Sequence, residues 1–126
     1  MFRRFLCVSI QRVLVTGTRN QGDGGITLDG ALMDAAGLLP HETVLCTNEL
    51  SGNQFLASVS QGRRGRGELI LGGPVARQGS RGDWLTIHRY DSLSQDQVDE
   101  MSSQVVLIDM SAEPRRQTSR TRVAKK

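Results

Sequence analysis

The feature that most constrains the fold is a series of short apolar segments interrupted by glycine-containing turns. Segments rich in Val, Ile and Leu occupy residues 5–16, 43–47, 54–60, 68–71, 84–90 and 104–109. Their partial alternation of apolar and polar residues is typical of β-strands. A layered α/β sheet is not expected, because the sequence offers no helix long enough for a crossover connection. The sequence therefore predicts a mainly β domain of about six strands that closes, or nearly closes, into a barrel.

Two short helices and two turns are predicted between these strands. Asp29 precedes residues 30–36 and Gly37 follows them, which supplies the N-cap and the C-terminal glycine of a short helix. Residues 94–101 (SQDQVDEM) predict a second small helix. The sequence Ser-Gly-Asn at 51–53 predicts a hairpin between its flanking strands. Gly-Gly-Pro at 72–74 predicts a tight turn at a barrel corner, with an anion-binding nest as the alternative.

Length and charge indicate one domain and a basic tail. The chain has 126 residues, of which 37% are hydrophobic, enough for a single compact core. Six of its 16 basic residues lie in residues 115–126, where there is no acid, so residues 1–114 carry ten Arg against all 13 acidic residues. We predict a barrel domain at 1–112 and a disordered tail at 113–126. Without interleaved aromatic residues, the tail does not predict nucleic-acid binding.

The sequence also favours some cellular and chemical settings over others. No apolar run approaches the roughly 18 residues of a membrane helix, and residues 1–10 lack the cleavage site of a signal peptide. We therefore expect a cytoplasmic protein without membrane contact. Cys7 and Cys46 have no disulfide or zinc-site spacing and are interpreted as buried small residues. His41 and His88 have no Cys or second His nearby, so no metal site is predicted, and His88 is interpreted as a surface or half-buried residue.

The residues alone give little catalytic chemistry. The only lysines are Lys125 and Lys126, so the barrel has no lysine amine. The hydroxyls of Ser9, Thr47 and Ser58 have no His or Asp at the spacing of a known nucleophile motif. The glycine-rich loop at 22–25 (GDGG) lacks the Lys and Ser/Thr of a phosphate-binding loop. Without further information, the chain is a β-barrel with a glycine-rich loop before its first helix.

The order of several short motifs resembles that of the bacterial aspartate 1-decarboxylases. The motifs are Arg-Val at 12–13, Val-Thr at 15–16, Leu-Asp at 28–29, LMDAAGLL at 32–39, Glu42, Asn48, Gly52, Phe55, Arg-Gly at 64–65, Gly73, Ala76 and Gly-Asp at 82–83. The resemblance runs from about residue 5 to about residue 87. It implies a double-psi β-barrel with short helices, assembled as a homotetramer with pockets between subunits. It also implies conversion of aspartate to β-alanine by a pyruvoyl group.

The position that would form the pyruvoyl group is altered. In the family, the chain is cut between a glycine and a serine, and the serine becomes the pyruvoyl group. These two positions fall on Gly24 and Gly25. Glycine has neither the hydroxyl that attacks the preceding carbonyl nor the Cβ of the product. We therefore expect an unprocessed chain with no pyruvoyl and no other cofactor.

Other positions that the resemblance places in the active site are altered as well. The family's lysine falls on Ser9, its arginine on Gln54, its tyrosine on Ser58, its threonine on Ala57, its tryptophan on Thr47 and the asparagine of its glycine turn on Gly72. Gln54 donates hydrogen bonds but carries no charge to pair with a substrate carboxylate. Residues that build the fold persist where residues that perform the chemistry do not, which indicates a paralogue that has lost β-alanine synthesis.

Two hypotheses about function follow. In the first, the chain is a repurposed, cofactor-free enzyme that acts on a bulkier, less anionic small molecule of specialised metabolism. Its interface pocket would be lined by Ser9, Asp23, Gly24, Gly25, Thr47, Gln54, Ser58, Gly72, Gly73, Pro74 and Val75. Asp23 is the one acid of this set and therefore the candidate general acid or base. In the second, the chain is a non-catalytic binding or regulatory paralogue.

Overall fold

A computed structural model describes residues 1–22 and 24–97, together with the backbone of 106–109. Within these residues the strands are β1 (Phe2–Leu14), β2 (Gly17–Arg19), β3 (Gly25–Asp29), β4 (Thr43–Asn48), β5 (Gln54–Gly62), β6 (Leu69–Gly72), β7 (Trp84–Ser94) and β8 (Val106–Asp109). Helix α1 spans Gly30–Ala36, a 3-10 helix spans Gly73–Gln78, and residues 95–97 are helical.

The strands form one mixed sheet in the order β2-β6-β3-β5-β4-β7-β1-β8. Strand β1 pairs with β7 and continues through two residues into β2, which pairs with β6. The connecting residues hold both sides together, because Val15 N donates to Asp83 O at 2.8 Å and Thr16 N donates to Leu69 O at 2.9 Å. One continuous segment thus joins the two sides of the sheet. The mainly β, double-psi β-barrel that the resemblance implied is confirmed.

Alternation of side chains separates an apolar interior from an outer surface. In β4, Val44 and Cys46 are buried, whereas Thr43 and Thr47 lie on the opposite side of the strand. Residues from the strands and α1 fill the core, namely Val8, Ile10, Val13, Val15, Ile26, Leu28, Leu32, Met33, Ala36, Leu38, Val44, Cys46, Ala57, Val59, Leu69, Leu71, Val75, Leu85 and Ile87. This continuous core fixes which side of each strand remains available for function.

The helix α1 and the hairpin of β4 with β5 are as predicted. Asp29 accepts a hydrogen bond from Ala31 N, and Gly37 adopts the left-handed conformation that ends the helix. The predicted number of six strands is wrong, since eight form within the described residues. Strands β2 and β3 were missed because they are short and gain their partners only in the folded barrel. The predicted turn at 72–74 instead begins the 3-10 helix. The tail at 113–126 and most of the helix at 94–101 lie outside the described residues.

Candidate functional site

Several predicted site residues share one surface of the barrel, the side of β3, β5, β4, β7 and β1 opposite the core. The strand register arranges this surface in three rows. We call it the outer face; its rows are Gly25–Ser58–Thr43, then Leu56–Leu45–His88–Ser9, and then Gln54–Thr47–Thr86. The first row ends in a glycine, the middle row in a serine–histidine pair, and the third is polar throughout. The structure therefore brings Ser9, Gly25, Thr47, Gln54 and Ser58 to one side of the sheet.

The first row borders a tightly packed glycine corner. A Cβ atom at Gly25 would lie 2.6 Å from Ser58 O and 2.8 Å from Ser58 Oγ. One at Gly73 would lie 2.5 Å from Gly22 O, so the turn and the glycine-rich loop are in direct contact. Pro74 packs against Gly24, where Cδ would lie 3.3 Å from an added Cβ. The glycine-rich loop at 22–25 and the segment at 72–74 are therefore packed against each other.

The third row is polar and continues into an acidic side chain. Gln54 Nε2 donates to Thr47 Oγ1 at 3.2 Å. Thr86 Oγ1 donates to Glu49 Oε2 at 2.6 Å, which brings a carboxylate to the end of the row. The residues of the three rows include no Arg or Lys. A ligand at this row meets hydroxyls, an amide and one negative charge.

Among the described residues, two buried polar atoms of the middle row have no hydrogen-bond partner. Ser9 is only 2% exposed, and its Oγ has no hydrogen-bond partner among the described residues. The same is true of the buried Nδ1 of His88, the register partner of Ser9. Burial lowers the pKa of His88, because it disfavours the charged imidazolium. The His88 ring is therefore neutral at neutral pH.

Two of the predicted pocket residues can be placed neither on the outer face nor at the glycine corner. Val75 is 7% exposed and packs into the core. Asp23 lies outside the described residues. Neither cysteine offers a reactive thiolate, because burial raises the pKa of Cys46 to about 12, and burial and the Asp91 carboxylate raise that of the half-buried Cys7. Cys46 is thus buried as expected, whereas Cys7 is only partly so.

Sequence reasoning missed Glu49, Thr86 and His88 as neighbours of the site. Alternation along the strand at 84–90 places Thr86 and His88 on one side, but not next to Thr47 and Ser9. That placement depends on the pairing of β7 with β4 and β1. Glu49 follows β4 and is connected to the face only through the Thr86 hydroxyl. No local pattern in the sequence contains this information.

The predicted site residues are too far apart to surround one small molecule within a single chain. Ser9 and Ser58 lie three strands apart, which corresponds to about 14 Å at the usual strand spacing. Ser58 pairs with Thr43, so Thr47 is four residues further along β4, again about 14 Å away. The glycine corner and the polar third row therefore form separate halves of a candidate site.

A pocket lies elsewhere in the molecule. Its volume is about 470 Å³, and it is lined by Met1, Arg3, Phe5, Leu93, Ser94, Gln95 and Asp96. None of the predicted site residues contributes to it. Across the described residues, His, Cys, Asp and Glu form no group of three or more that could hold a metal ion. In the same part of the chain, no helix has the length and apolar character needed to cross a membrane.

The mixed sheet and the outer face define a double-psi β-barrel protein whose candidate site lies between the strands and a glycine corner. Residues 1–114 match the family model for aspartate decarboxylase. The chain belongs to the aspartate decarboxylase family. It is 38% identical to the aspartate 1-decarboxylase of Neisseria meningitidis over 86% of each chain. It is 35% identical to that of Persephonella marina, over 86% of this chain and 78% of the relative.

The pyruvoyl group that the resemblance implies does not fit the residues at its position. Gly25 has no side chain from which the group could form. The space that a Cβ would need is occupied by the Ser58 carbonyl and hydroxyl oxygens, at 2.6 and 2.8 Å. Backbone atoms of a paired strand cannot move aside as a flexible side chain does. Position 25 therefore lacks both the serine hydroxyl and the space for a serine side chain.

Proposed function

We propose that this chain is a family member that is not cut between Gly24 and Gly25 and that works without a pyruvoyl group. The observation that carries the proposal is the packing at Gly25, where strand β5 lies too close to β3 for a serine in the same backbone conformation. If only the serine had been lost, the space for its side chain would remain. That space is occupied, which indicates that the surrounding strands are packed for glycine.

We propose further that the chain is an enzyme for a bulkier and less anionic small molecule than aspartate. Where the resemblance places an arginine, the outer face has Gln54, hydrogen-bonded to Thr47. The Glu49 carboxylate accepts a hydrogen bond from Thr86 at the end of that row. A negative charge there disfavours an anionic ligand, whereas hydroxyls and amides suit a neutral molecule with polar groups. Asp23 remains a predicted general acid or base.

The site is complete only between subunits under this proposal. The glycine corner and the third row lie about 14 Å apart in one chain. Apolar side chains are also exposed on or beside the outer face, with Leu56 at 63% and Trp84 at 40%. A homotetramer in which the glycine corner of one copy faces the third row of another would cover these side chains and close the pocket.

Native mass spectrometry of the purified protein tests this proposal. We expect a tetramer of intact 13.8 kDa chains that releases a small-molecule adduct on activation. Two fragments per chain, or β-alanine formed from added aspartate, would overturn it. An intact tetramer without an adduct, and with its outer face filled by its own side chains, would instead support the binding or regulatory paralogue.

A further inference from the structure

Ser9 and His88 carry the clearest unexplained feature of the molecule. They are directly opposite each other on the antiparallel strands β1 and β7. Both polar atoms, Ser9 Oγ and His88 Nδ1, are buried and have no partner among the described residues. A buried polar group without a hydrogen bond is rare in native proteins, and a catalytic role is one explanation for it. The pair lies in the middle row of the outer face, and Ser9 is at the position of the family's lysine.

The two atoms can satisfy each other. Opposite residues of an antiparallel pair have Cβ atoms about 4.5–5.5 Å apart. This separation is short enough for a rotamer of Ser9 to place Oγ within hydrogen-bond distance of a His88 ring that faces it. If Nδ1 carries the proton, it donates to Ser9 Oγ, and both buried atoms then have a partner. The lone pair of the ring is then on Nε2, the nitrogen farther from the backbone.

We propose that His88 is the general base of the outer face and that Ser9 is the positioning residue that fixes its Nδ1–H tautomer. This inference rests on the proposed function, because it assigns a role within the same site. Nε2 takes a proton from a C–H or O–H group of a neutral ligand. The ring becomes imidazolium, and the electron pair of the broken bond stays with the ligand. Leu45 and Leu56 continue the row, so the ligand also has an apolar part.

The groups around His88 favour the neutral ring. The Tyr90 ring is in edge contact with it, at 6.3 Å between centroids, and the Arg4 guanidinium lies 5.3 Å from the Tyr90 centroid. Leu45 is its partner in β4, and Ser9 is its partner in β1. The Glu49 carboxylate accepts from Thr86, two residues along β7. Burial is thus what lowers the pKa of His88, and among the groups named here the one carboxylate, that of Glu49, accepts the Thr86 hydroxyl.

Nitrogen-15 NMR of the histidine rings tests the positioning step. The chain has two histidines, and the exposed His41 is an internal control. We expect wild-type His88 to carry its proton on Nδ1, and Ser9→Ala to move it to Nε2 and lower the pKa of His88. Ser92 is an exposed serine on β7, the strand of His88. Ser92→Ala should change neither the tautomer nor the pKa of His88. An Nε2–H tautomer in the wild type, or an unchanged tautomer in Ser9→Ala, would overturn the inference.

The Kemp elimination of 5-nitrobenzisoxazole tests the base itself. A base removes the C3 proton of this neutral probe, its electron pair forms the nitrile, and the N–O bond breaks to give a phenolate. We expect His88→Gln to lower the rate at least tenfold and Ser9→Ala at least threefold, while His41→Gln leaves it unchanged. The wild-type rate should fall as pH drops through the pKa of His88. A rate that is independent of His88 would overturn the inference.

The two proposals fail in different ways. An intact, ligand-bearing tetramer whose elimination rate does not depend on His88 would leave the proposed function standing and remove this role. A chain cut at residues 24–25 would remove the proposed function, whatever the tautomer of His88. Asp23→Asn removes the other candidate base. If this variant loses elimination activity and His88→Gln keeps it, the general base is Asp23 and this inference is overturned.

Discussion

Asp29 and Ser9 are both buried polar residues of the barrel, and they differ in how they are satisfied. The Asp29 carboxylate accepts from Ala31 N at 2.7 Å, Gly65 N at 3.1 Å and Gly67 N at 2.6 Å. In this conformation Ser9 Oγ has no hydrogen-bond partner among the residues that the structure describes. Asp29 joins β3, α1 and the loop before β6, so it serves the fold. Asp29 thus completes its hydrogen bonds in building the barrel, whereas the Ser9 hydroxyl remains available to a site.

Asn48 belongs with Asp29 in this comparison. Its Oδ1 accepts from Leu50 N and Ser51 N, and its Nδ2 donates to Gln78 O and Asp83 Oδ2. Asn48 thereby ties the β4–β5 hairpin to the segment before β7. The Ser80 N–H and the Asn48 amide lower the pKa of Asp83. Both polar residues sit at junctions between elements, whereas Ser9 lies in the middle of a strand.

The largest expected effect comes from Asp29→Ala. It removes the N-cap of α1, worth about 1 kcal/mol, and leaves two loop N–H groups without their acceptor, at about 1–3 kcal/mol each. We expect a loss of about 4 kcal/mol in the free energy of unfolding, measured by urea denaturation at fixed protein concentration. Asp34→Ala breaks only an exposed ion pair with Arg64 and should cost less than about 1 kcal/mol. Equal losses in the two variants would contradict the role of Asp29.

Protonation of Asp29 at low pH should cause part of the loss of stability that is expected for Asp29→Ala. Burial alone would raise the pKa of Asp29, but the N–H groups of Gly67, Gly65 and Ala31 outweigh it and hold the pKa below its ordinary value. The stabilisation is therefore present above about pH 4 and is lost as pH falls through the lower pKa of the folded state. Asp29→Ala should show a flatter dependence of stability on pH in that range.

Asn48→Ala should cost about 2–3 kcal/mol in the free energy of unfolding, since several backbone groups lose their partner at once. It should also raise the pKa of Asp83, which loses one of the two bonds that lower it. Urea denaturation and carboxyl NMR measure the two effects. Asn53→Ala is the control, because its side chain makes none of these bonds; a similar loss there would contradict the assignment.

Gly25→Ser compares the glycine corner with a glycine of β2 that has space around it. Its Cβ would lie 2.6 Å from a backbone oxygen, so we expect a loss of about 2 kcal/mol and, in the mass spectrum, a chain that stays uncut. Gly17→Ser is matched to it, because its nearest atom, Ile70 Cγ1, is 4.0 Å from the added Cβ. It should change stability by about 0.5 kcal/mol or less. Efficient cutting of the Gly25→Ser chain would show that the corner still accepts a serine.

The sequence predicts the features that have local signals and misses those that depend on the pairing of distant strands. Helix α1 was predictable because Asp29, the short apolar stretch and Gly37 are local signals of a cap, a helix and a stop. The hairpin of β4 and β5 was predictable from its turn residues. Strands β2 and β3 were not, since they depend on distant partners. The resemblance supplied most of the candidate site, but it could not supply His88, because only the register of β1 with β7 places that ring opposite Ser9.

Ser9→Ala has the smallest expected effect on stability. Removing the buried hydroxyl relieves its desolvation penalty, but it also takes away the hydrogen-bond partner proposed for His88 Nδ1, so the two effects largely cancel. We expect a change of less than about 0.5 kcal/mol in the free energy of unfolding. The variant should then be as stable as the wild type yet slower in the elimination assay, which is the behaviour of a site residue and not of a residue that builds the barrel. A loss of more than about 1 kcal/mol would place Ser9 with Asp29 among the residues that build the barrel.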